Sequence, residues 1–316
     1  MANNQSSFMQ TKAWERMQNK LGSRTYWLDD VLFINKRIRF GQSFWYAPRT
    51  DIIPDIERLD QAFKSRTTFI KIEPTSNKLE KPFLKTKTTQ PRQTLLLDID
   101  KKPEDVLGAM KSKTRYNIRL SARKEIKTIA FKYPESLKRL STFMKLTHET
   151  NIRDQIKSYD TRYYQTLLEE LGKDDMAELL ISYHGDTPLS AMILIHHNNT
   201  STYLFGASSS NKRELMASHH MQWEAIKRSI ERKSKIYDFW GVRVDTNFTL
   251  KEVASEIDLK DVTIEPGYTY GVTKFKLGFG GKIYQYAPAY TRSYNAFWYN
   301  IYRSYRFFST SKGFNF

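Results

Sequence analysis

Cysteine is absent from the 316 residues, so the chain has no disulfide framework and no thiol nucleophile, which fits the cytoplasm most simply. Long apolar runs are missing too. The densest, 191–195, falls far short of the roughly 20 residues a membrane span needs. The opening MANNQSSFMQ lacks a basic segment followed by an apolar core, so no secretory signal is expected. Acidic residues are scarce, 34 against 51 lysines and arginines, leaving a net charge of +17. That excess points to an anionic partner: nucleic acid, nucleotide phosphates or anionic lipid. What is present, 40% hydrophobic and 14% aromatic residues, excludes a wholly disordered polymer and suffices for two ordinary domains.

The positive charge is concentrated between 111 and 139, where ten basic residues face only Glu125 and Glu135. Thr11 can cap a helix on which Trp14, Met17 and Leu21 recur and which Gly22 can end; YWLDDVLFINKRI then reads as strand. The order recurs later. DTRYYQTLLEELG reads as a helix with a Gly stop, and AELLISYHGDTPLSAMILIHH as two strands joined at 184–188, a weak duplication suggesting two similar α/β domains. Between them, 71–93 is rich in Lys, Thr and Pro and reads as a mobile loop. TLLLDID is a buried strand ending in Asp98 and Asp100. Beyond it, Ile118, Ala122 and Ile126 form an apolar stripe beside Arg115, Arg119 and Arg123, so that one side packs while the other meets phosphates.

Residues 202–242 read as strand, loop, long helix and strand, with free backbone N–H groups and Arg213 at the helix start, a place for an anion. At the end, Phe297, Trp298, Ile301, Tyr302, Tyr305 and Phe308 share one helical face, opposite Arg303 and Arg306. Such a helix lies on a membrane surface or returns to cover the first domain. GVTKFKLGFGG (271–281) reads as a glycine-rich loop with lysines, which suggests phosphate. It is no P-loop, because Lys276 stands where the second Gly belongs. No metal site is expected: His196–His197 and His219–His220 are neighbours rather than i, i+4 pairs, and Asp98-x-Asp100 stands alone. Ser208 to Ser210 lack a His-Asp context.

Five segments in order, SFMQTKAWERMQNKLG, KSKTRYNIRLSARKEI, GASSSNKRELMASHHMQWEAIKRS, YDFWGV and YGVTKFKLGFGGKIYQY, resemble the FemABX family of peptidoglycan-bridge aminoacyltransferases. The resemblance implies an α/β (α+β) fold of two acetyltransferase-like (GNAT-like) domains, mixed sheets flanked by helices. The first would comprise 1–140 plus 288–316 and hold the acceptor precursor; the second would comprise 141–287. The chain has no room for the helical arm of larger members and is similar to the short, arm-less type. Implied partners are aminoacyl-tRNA as donor, with no other cofactor, and a UDP-linked muropeptide or lipid-linked precursor as acceptor. The enzyme would be cytoplasmic, with peripheral contact at the cytoplasmic membrane.

In the family a Phe-Lys pair lies by the reaction centre, and here it matches Phe275 and Lys276. Transfer needs a neutral amine attacking an ester through an oxyanion, so Lys276 is expected to stabilise that charge. The glycines around it would let backbone approach the tRNA end. Asp98, at its strand end, is the expected proton acceptor. Lys36, Arg39, Arg213, Tyr237 and Trp240 are expected at the substrate, and Arg115, Arg119, Arg123 and Lys274 at tRNA. Two alternatives stay open. Gly278-x-Gly280 has the spacing of an acetyl-CoA turn, although Phe275 stands where Gln or Arg belongs, and a non-catalytic RNA- or membrane-binding protein could share the fold.

Overall fold

The computed structural model describes residues 7–38, 40–65, 67–76, 78–246, 254–267 and 269–310. The chain divides into two compact units: residues 1–92, 250–255 and 285–316 in one, 93–249 and 256–284 in the other.

The first unit is built on six strands in the order Thr25–Leu28, Val31–Arg37, Ser43–Thr50, Phe69–Pro74, Ala289–Ser293, Leu84–Thr86. Only Ser43–Thr50 and Phe69–Pro74 run parallel; the other neighbours are antiparallel. The stretch expected as one strand is a hairpin. Asp29 and Asp30 both take positive φ, 49° and 60°, and a two-residue turn of that twist folds the flanking strands together. Ahead of it, the Lys12–Lys20 helix is capped as its sequence promised, with the Thr11 side chain accepting from the Trp14 amide, and buries Ala13, Trp14 and Met17. The Ala296–Thr310 helix turns Tyr299 inward and rests Tyr302 on Phe44 and Phe69. The side chains of Tyr305, Arg306 and Phe308 lie outside the described residues.

The segment 71–93 is not simply a loop. Its start belongs to the fully buried Phe69–Pro74 strand, where Lys71 and Glu73, side chains two apart on one face, pair at 3.5 Å in the interior. That pair made a core strand look hydrophilic.

The second unit carries an eight-stranded sheet in the order Ser255–Ile257, Lys282–Gln285, Gln93–Asp98, Ile236–Gly241, Thr200–Ser208, Thr187–His197, Ala177–His184, Ile126–Lys132. Leu95, Leu97, Tyr237 and Phe239 of the sheet share a core with Ile118 of the Ser112–Arg123 helix and with Met221, Ala225 and Ile226 of the Ala217–Glu231 helix. The domain boundary expected at 140 therefore moves to 92–93. Gln93–Asp98 pairs with Ile236–Gly241 and Ile126–Lys132 with Ala177–His184, long-range pairings that local composition does not record. Ala122, expected in an apolar stripe, is exposed, and Ile126 has left the helix for its strand. The longest helices, Leu140–Asp154, Ala217–Glu231 and Ala296–Thr310, have 15 residues each, and no long helical hairpin occurs among the described residues.

Residues 271–281 also differ from expectation. Most of them form the Tyr270–Leu277 helix, and the turn follows it, with Gly280 and Gly281 at φ 83° and 91°. A Cβ at Gly281 would collide with the Leu96 carbonyl oxygen, and one at Gly278 with the Thr114 hydroxyl. Gly278 O meanwhile accepts from Lys111 N at 3.0 Å. These glycines press the turn onto the protein's own strand and helix; they are not a cradle for phosphate or for the tRNA end.

Opposite Leu95 and its neighbours, the far end of the sheet is fastened by charge. Glu178, wholly buried on Ala177–His184, is held bidentately by Arg228 and at 2.7 Å by Arg232, which also grips Asp175 at 2.8 Å. Burial alone would raise its carboxyl, but the neighbouring His196 and Arg228 hold it down at about 2. A depressed carboxylate contributes stability above its unfolded value and loses it as pH falls through the folded one. Unfolding free energy should therefore drop between about pH 4.5 and about 2. Glu178→Gln, which strands two arginines, should cost about 3 kcal/mol at neutral pH and flatten that acid slope, as read by urea unfolding.

Candidate functional site

In the second unit Thr200–Ser208 and Ile236–Gly241 pair in parallel only over Thr200–Thr202 and Ile236–Asp238. Beyond that, each strand is irregular against its other neighbour: the register shifts between Tyr203 and Phe205 on one, and between Asp238 and Gly241 on the other. Two bulges at the point where a parallel pair parts re-aim the side chains there. Trp240 takes a left-handed φ of 58°, uncommon for a bulky residue. The buried Asp238 carboxylate answers that strain, accepting from the Trp240 amide at 2.7 Å and from the Thr94 hydroxyl.

The bulge leaves the Gly241 carbonyl facing Lys276, whose Nζ donates to it at 2.7 Å. Lys276 is buried on the Tyr270–Leu277 helix, with its Nζ 5.5 Å from the Tyr203 ring centroid. Burial brings its ammonium down to about 8, against the pull of the nearby Asp238 charge. The site thus holds a desolvated cation fixed by one carbonyl, one aromatic face and one carboxylate. Such a cation can stabilise an oxyanion and is close enough to neutrality to exchange a proton.

Phe275, one residue earlier, is half-buried and meets the His219 ring edge-on at 4.9 Å and Phe279 at 5.3 Å. His219 lies in the first turn of Ala217–Glu231, 3.2 Å from the Asn117 amide nitrogen. Burial, reinforced by the charge of Lys113, lowers its imidazole to about 4, so the ring is neutral at physiological pH and accepts from Asn117. Phe275 therefore meets a neutral ring rather than a second cation.

The other expected residues distribute unevenly. Asp98 stands at the far end of its strand, opposite Ile236, whereas Gly241 is opposite Thr94. It is exposed, bound to Lys101 at 2.8 Å and to the Asp100 amide, and the Lys101 contact holds its carboxyl below the usual range. The structure does not bring it to Lys276; Asp238 is the carboxylate there. Tyr237 is no substrate contact, since it is fully buried, donates to Gln222 at 2.7 Å, and has its phenol pushed well up by that burial. Arg115 is turned to the carbonyls of Gly108 and Met110, closing the preceding turn instead of offering itself to phosphate. Arg119 and Arg123 remain exposed on their helix, as does Lys274, 5.6 Å from the Tyr270 ring. Arg213 is exposed in the short Arg213–Leu215 turn before Ala217–Glu231. Trp240 is half-buried at the bulge.

Lys36 belongs to the first unit, where its Nζ donates to Gln18 at 3.0 Å and burial brings it down to about 8. It lines an open cleft of about 650 Å³ with Arg24, Arg37 and Gln42. Arg39 lies outside the described residues. Sequence reasoning missed Asp238, Tyr203 and His219; the alternation in YDFWG was the one available signal for the first.

The FemAB family model matches residues 63–184 and 172–306. The Lipid II:glycine glycyltransferase of Staphylococcus haemolyticus (strain JCSC1435) is 26% identical over 216 residues, covering 48% of this chain and 51% of that protein. Its namesake in Staphylococcus aureus is 24% identical over 222 residues, covering 49% and 52%. The chain spans about half the length of the curated relatives it matches. Among solved structures, FemX matches with a TM-score of 0.73 at 18% identity over 95% of both chains. L-PGS from Bacillus licheniformis matches at 0.53 and 12% identity over 86% of both. At such identities these likenesses speak for the fold alone.

A buried lysine whose folded pKa lies near 8, against 10.5 when unfolded, binds fewer protons folded than unfolded between those values, so its contribution to stability rises with pH across that window. Lys276→Met should lack the rise. Urea unfolding of both proteins from pH 7.5 to 10.5 should show their difference move toward wild type by about 2–4 kcal/mol; parallel curves would mean that Lys276 is not the desolvated group described.

Proposed function

Because the chain belongs to the FemAB family, we propose that it transfers an amino-acid residue from aminoacyl-tRNA to a stem-peptide amine of a lipid-linked peptidoglycan precursor. The observation that carries this reading is Lys276, buried at the parting of two parallel strands on the Gly241 carbonyl. The relatives named above act on lipid II, which favours the lipid-linked acceptor over the UDP-linked one.

The chemistry is an exchange of ester for amide. The acceptor amine attacks the ester carbonyl, its carbon–oxygen bond to the tRNA ribose breaks, and the amine proton ends on the ribose oxygen. Lys276 stabilises the oxyanion formed between those steps. Asp238 keeps that lysine charged and positioned, Phe275 and the neutral His219 exclude water, and Trp240 lies beside them on the bulge. Arg119, Arg123 and Lys274 serve the phosphates of the donor. The cleft holding Lys36 and Arg24 serves those of the acceptor. Both substrates are presented on the cytoplasmic side, and no helix among the described residues is long and apolar enough to cross a membrane.

An acetyl-CoA donor is disfavoured. Gly278 and Gly280, which would cradle its pyrophosphate, are packed on Thr114 and on the Ala109 carbonyl, and the residues before them are helical.

The test mixes purified protein with a pool of labelled aminoacyl-tRNAs and either lipid-linked or UDP-linked precursor, then follows label into the precursor. Label in the lipid-linked arm is expected; label in neither arm would overturn the reading. Lys276→Ala should lower turnover by about 10²–10³-fold with the fold intact. Asp238→Asn removes a charge that favours the lysine's protonated form, so the alkaline limb of its pH–rate profile should move to lower pH. A profile that only scales down would assign Asp238 to structure alone.

A further inference from the structure

Aminoacyl transfer as described leaves one proton without a carrier. Once the amine has bonded to the ester carbon its nitrogen is positively charged, and the ribose oxygen is too basic to depart without a proton. The carboxylate beside Lys276 does not serve, because Asp238 is buried and already accepts from the Trp240 amide and the Thr94 hydroxyl. His219, lowered to about 4 by burial and paired with Asn117, is a weak base.

Tyr203 stands where that proton has to pass. Its ring centroid is 5.5 Å from Lys276 Nζ, and it lies at the register shift in Thr200–Ser208. The phenol is laid across Gly206, an exposed position where a Cβ would collide with the Tyr203 hydroxyl and ring edge. On its inner side is Gln222, wholly buried. Gln222 Oε1 accepts from the Tyr237 hydroxyl at 2.7 Å, which fixes the amide and leaves Nε2 without a partner at bonding distance. Burial raises the Tyr203 phenol to about 12, and Gln222 is the neighbour that acts against the rise. An N–H directed at the phenol oxygen leaves the phenol's own proton to point elsewhere. Among the described residues no protein group accepts that proton.

We propose that Tyr203 is the proton shuttle of the transfer: its hydroxyl gives its proton to the leaving ribose oxygen while it takes one from the attacking amine. The carbon–nitrogen bond forms, the carbon–oxygen bond breaks, and the phenol ends as it began. No charge is left on the protein. Lys276 meets the oxygen of the reacting carbon, and Tyr203 serves the nitrogen that arrives and the oxygen that departs. A phenol weakened by burial approaches the acidity of the alcohol it protonates, so the exchange is nearly balanced.

This role rests on the transfer proposed above, and the experiment separates the two. Single-turnover passage of label from aminoacyl-tRNA to lipid-linked precursor is followed for wild type, Tyr203→Phe and Gly206→Ala. Tyr203→Phe keeps the ring beside Lys276 and should slow transfer by about 10²-fold or more, with half-saturating substrate concentrations and melting temperature unchanged. Gly206→Ala keeps the hydroxyl but displaces it, and should slow transfer likewise. In mixtures of light and heavy water the wild-type rate should fall along a bowed curve, the mark of two protons moving together. Wild type that labels no precursor would overturn the transfer reading and this role with it. Wild-type transfer that Tyr203→Phe matches, or a wild-type rate that falls along a straight line, would overturn the role alone.

Discussion

The hydrogen bond from the Trp240 amide to the Asp238 carboxylate is the contact on which the geometry around Lys276 depends. It holds a bulky residue at positive φ, a conformation that costs on the order of 1–3 kcal/mol. A charged acceptor in a buried site returns about 1.5–3 kcal/mol, so the two nearly cancel and the bulge persists. Once the bulge is in place, the ladder to Gln93–Asp98 slips between Asp238 and Gly241 and the Gly241 carbonyl faces Lys276. A regular strand would have spent that carbonyl on its neighbour. The same carboxylate also accepts from Thr94, fastening the bulge to the adjoining strand.

This dependence explains what could and could not be read in advance. The Lys12–Lys20 helix, the strand pair Ala177–His184 and Thr187–His197, and the long Ala217–Glu231 helix were legible because each follows from local periodicity, with the Thr11 cap marking the start of the first. The Phe275–Lys276 step was singled out through family resemblance, and the structure buries that lysine on the Gly241 carbonyl. The choice of carboxylate was not legible. Asp98 and Asp238 both stand on strands, and only the register between those strands decides which of them is near Lys276. Long-range pairing also moved residues 93–140 from one unit to the other. Yet one error was avoidable. In YDFWG a period of two puts Tyr237 with Phe239 on one face and Asp238 with Trp240 on the other, and since the first pair is apolar it belongs in the core.

Buried charge hid other features. The Phe69–Pro74 strand looked like linker because Lys71 and Glu73 pair within it, and the glycines of 271–281 looked like a phosphate loop because their packing partners, Leu96 and Thr114, are remote in sequence. In each case composition counted a residue's chemistry but not its neighbour. Sequence identity shows a comparable gap between scales. The FemX structure shares 18% of residues and matches with a TM-score of 0.73, whereas curated relatives at 24–26% align with only about half of the chain. The fold is therefore retained where individual side chains have been exchanged, and function has to be argued from the site.

At the site, the decisive quantity is how far burial lowers Lys276. Desolvation and Asp238 act in opposite directions and leave its pKa near 8. About nine-tenths of such a lysine is charged at pH 7. Lower by two units, it would be mostly neutral and of little use to an oxyanion; at its solution value it would be charged but solvated, and its field screened. Neither neighbour achieves the intermediate state alone. The aromatic surroundings of Tyr203 and Phe275 remove the water, and the bulge supplies the one carbonyl and the one carboxylate that keep the proton in place. A binding surface for anions has no need of this balance, since exposed lysines serve it as well. A buried lysine stabilised to just this degree suits the proposed oxyanion, a negative charge that exists only briefly.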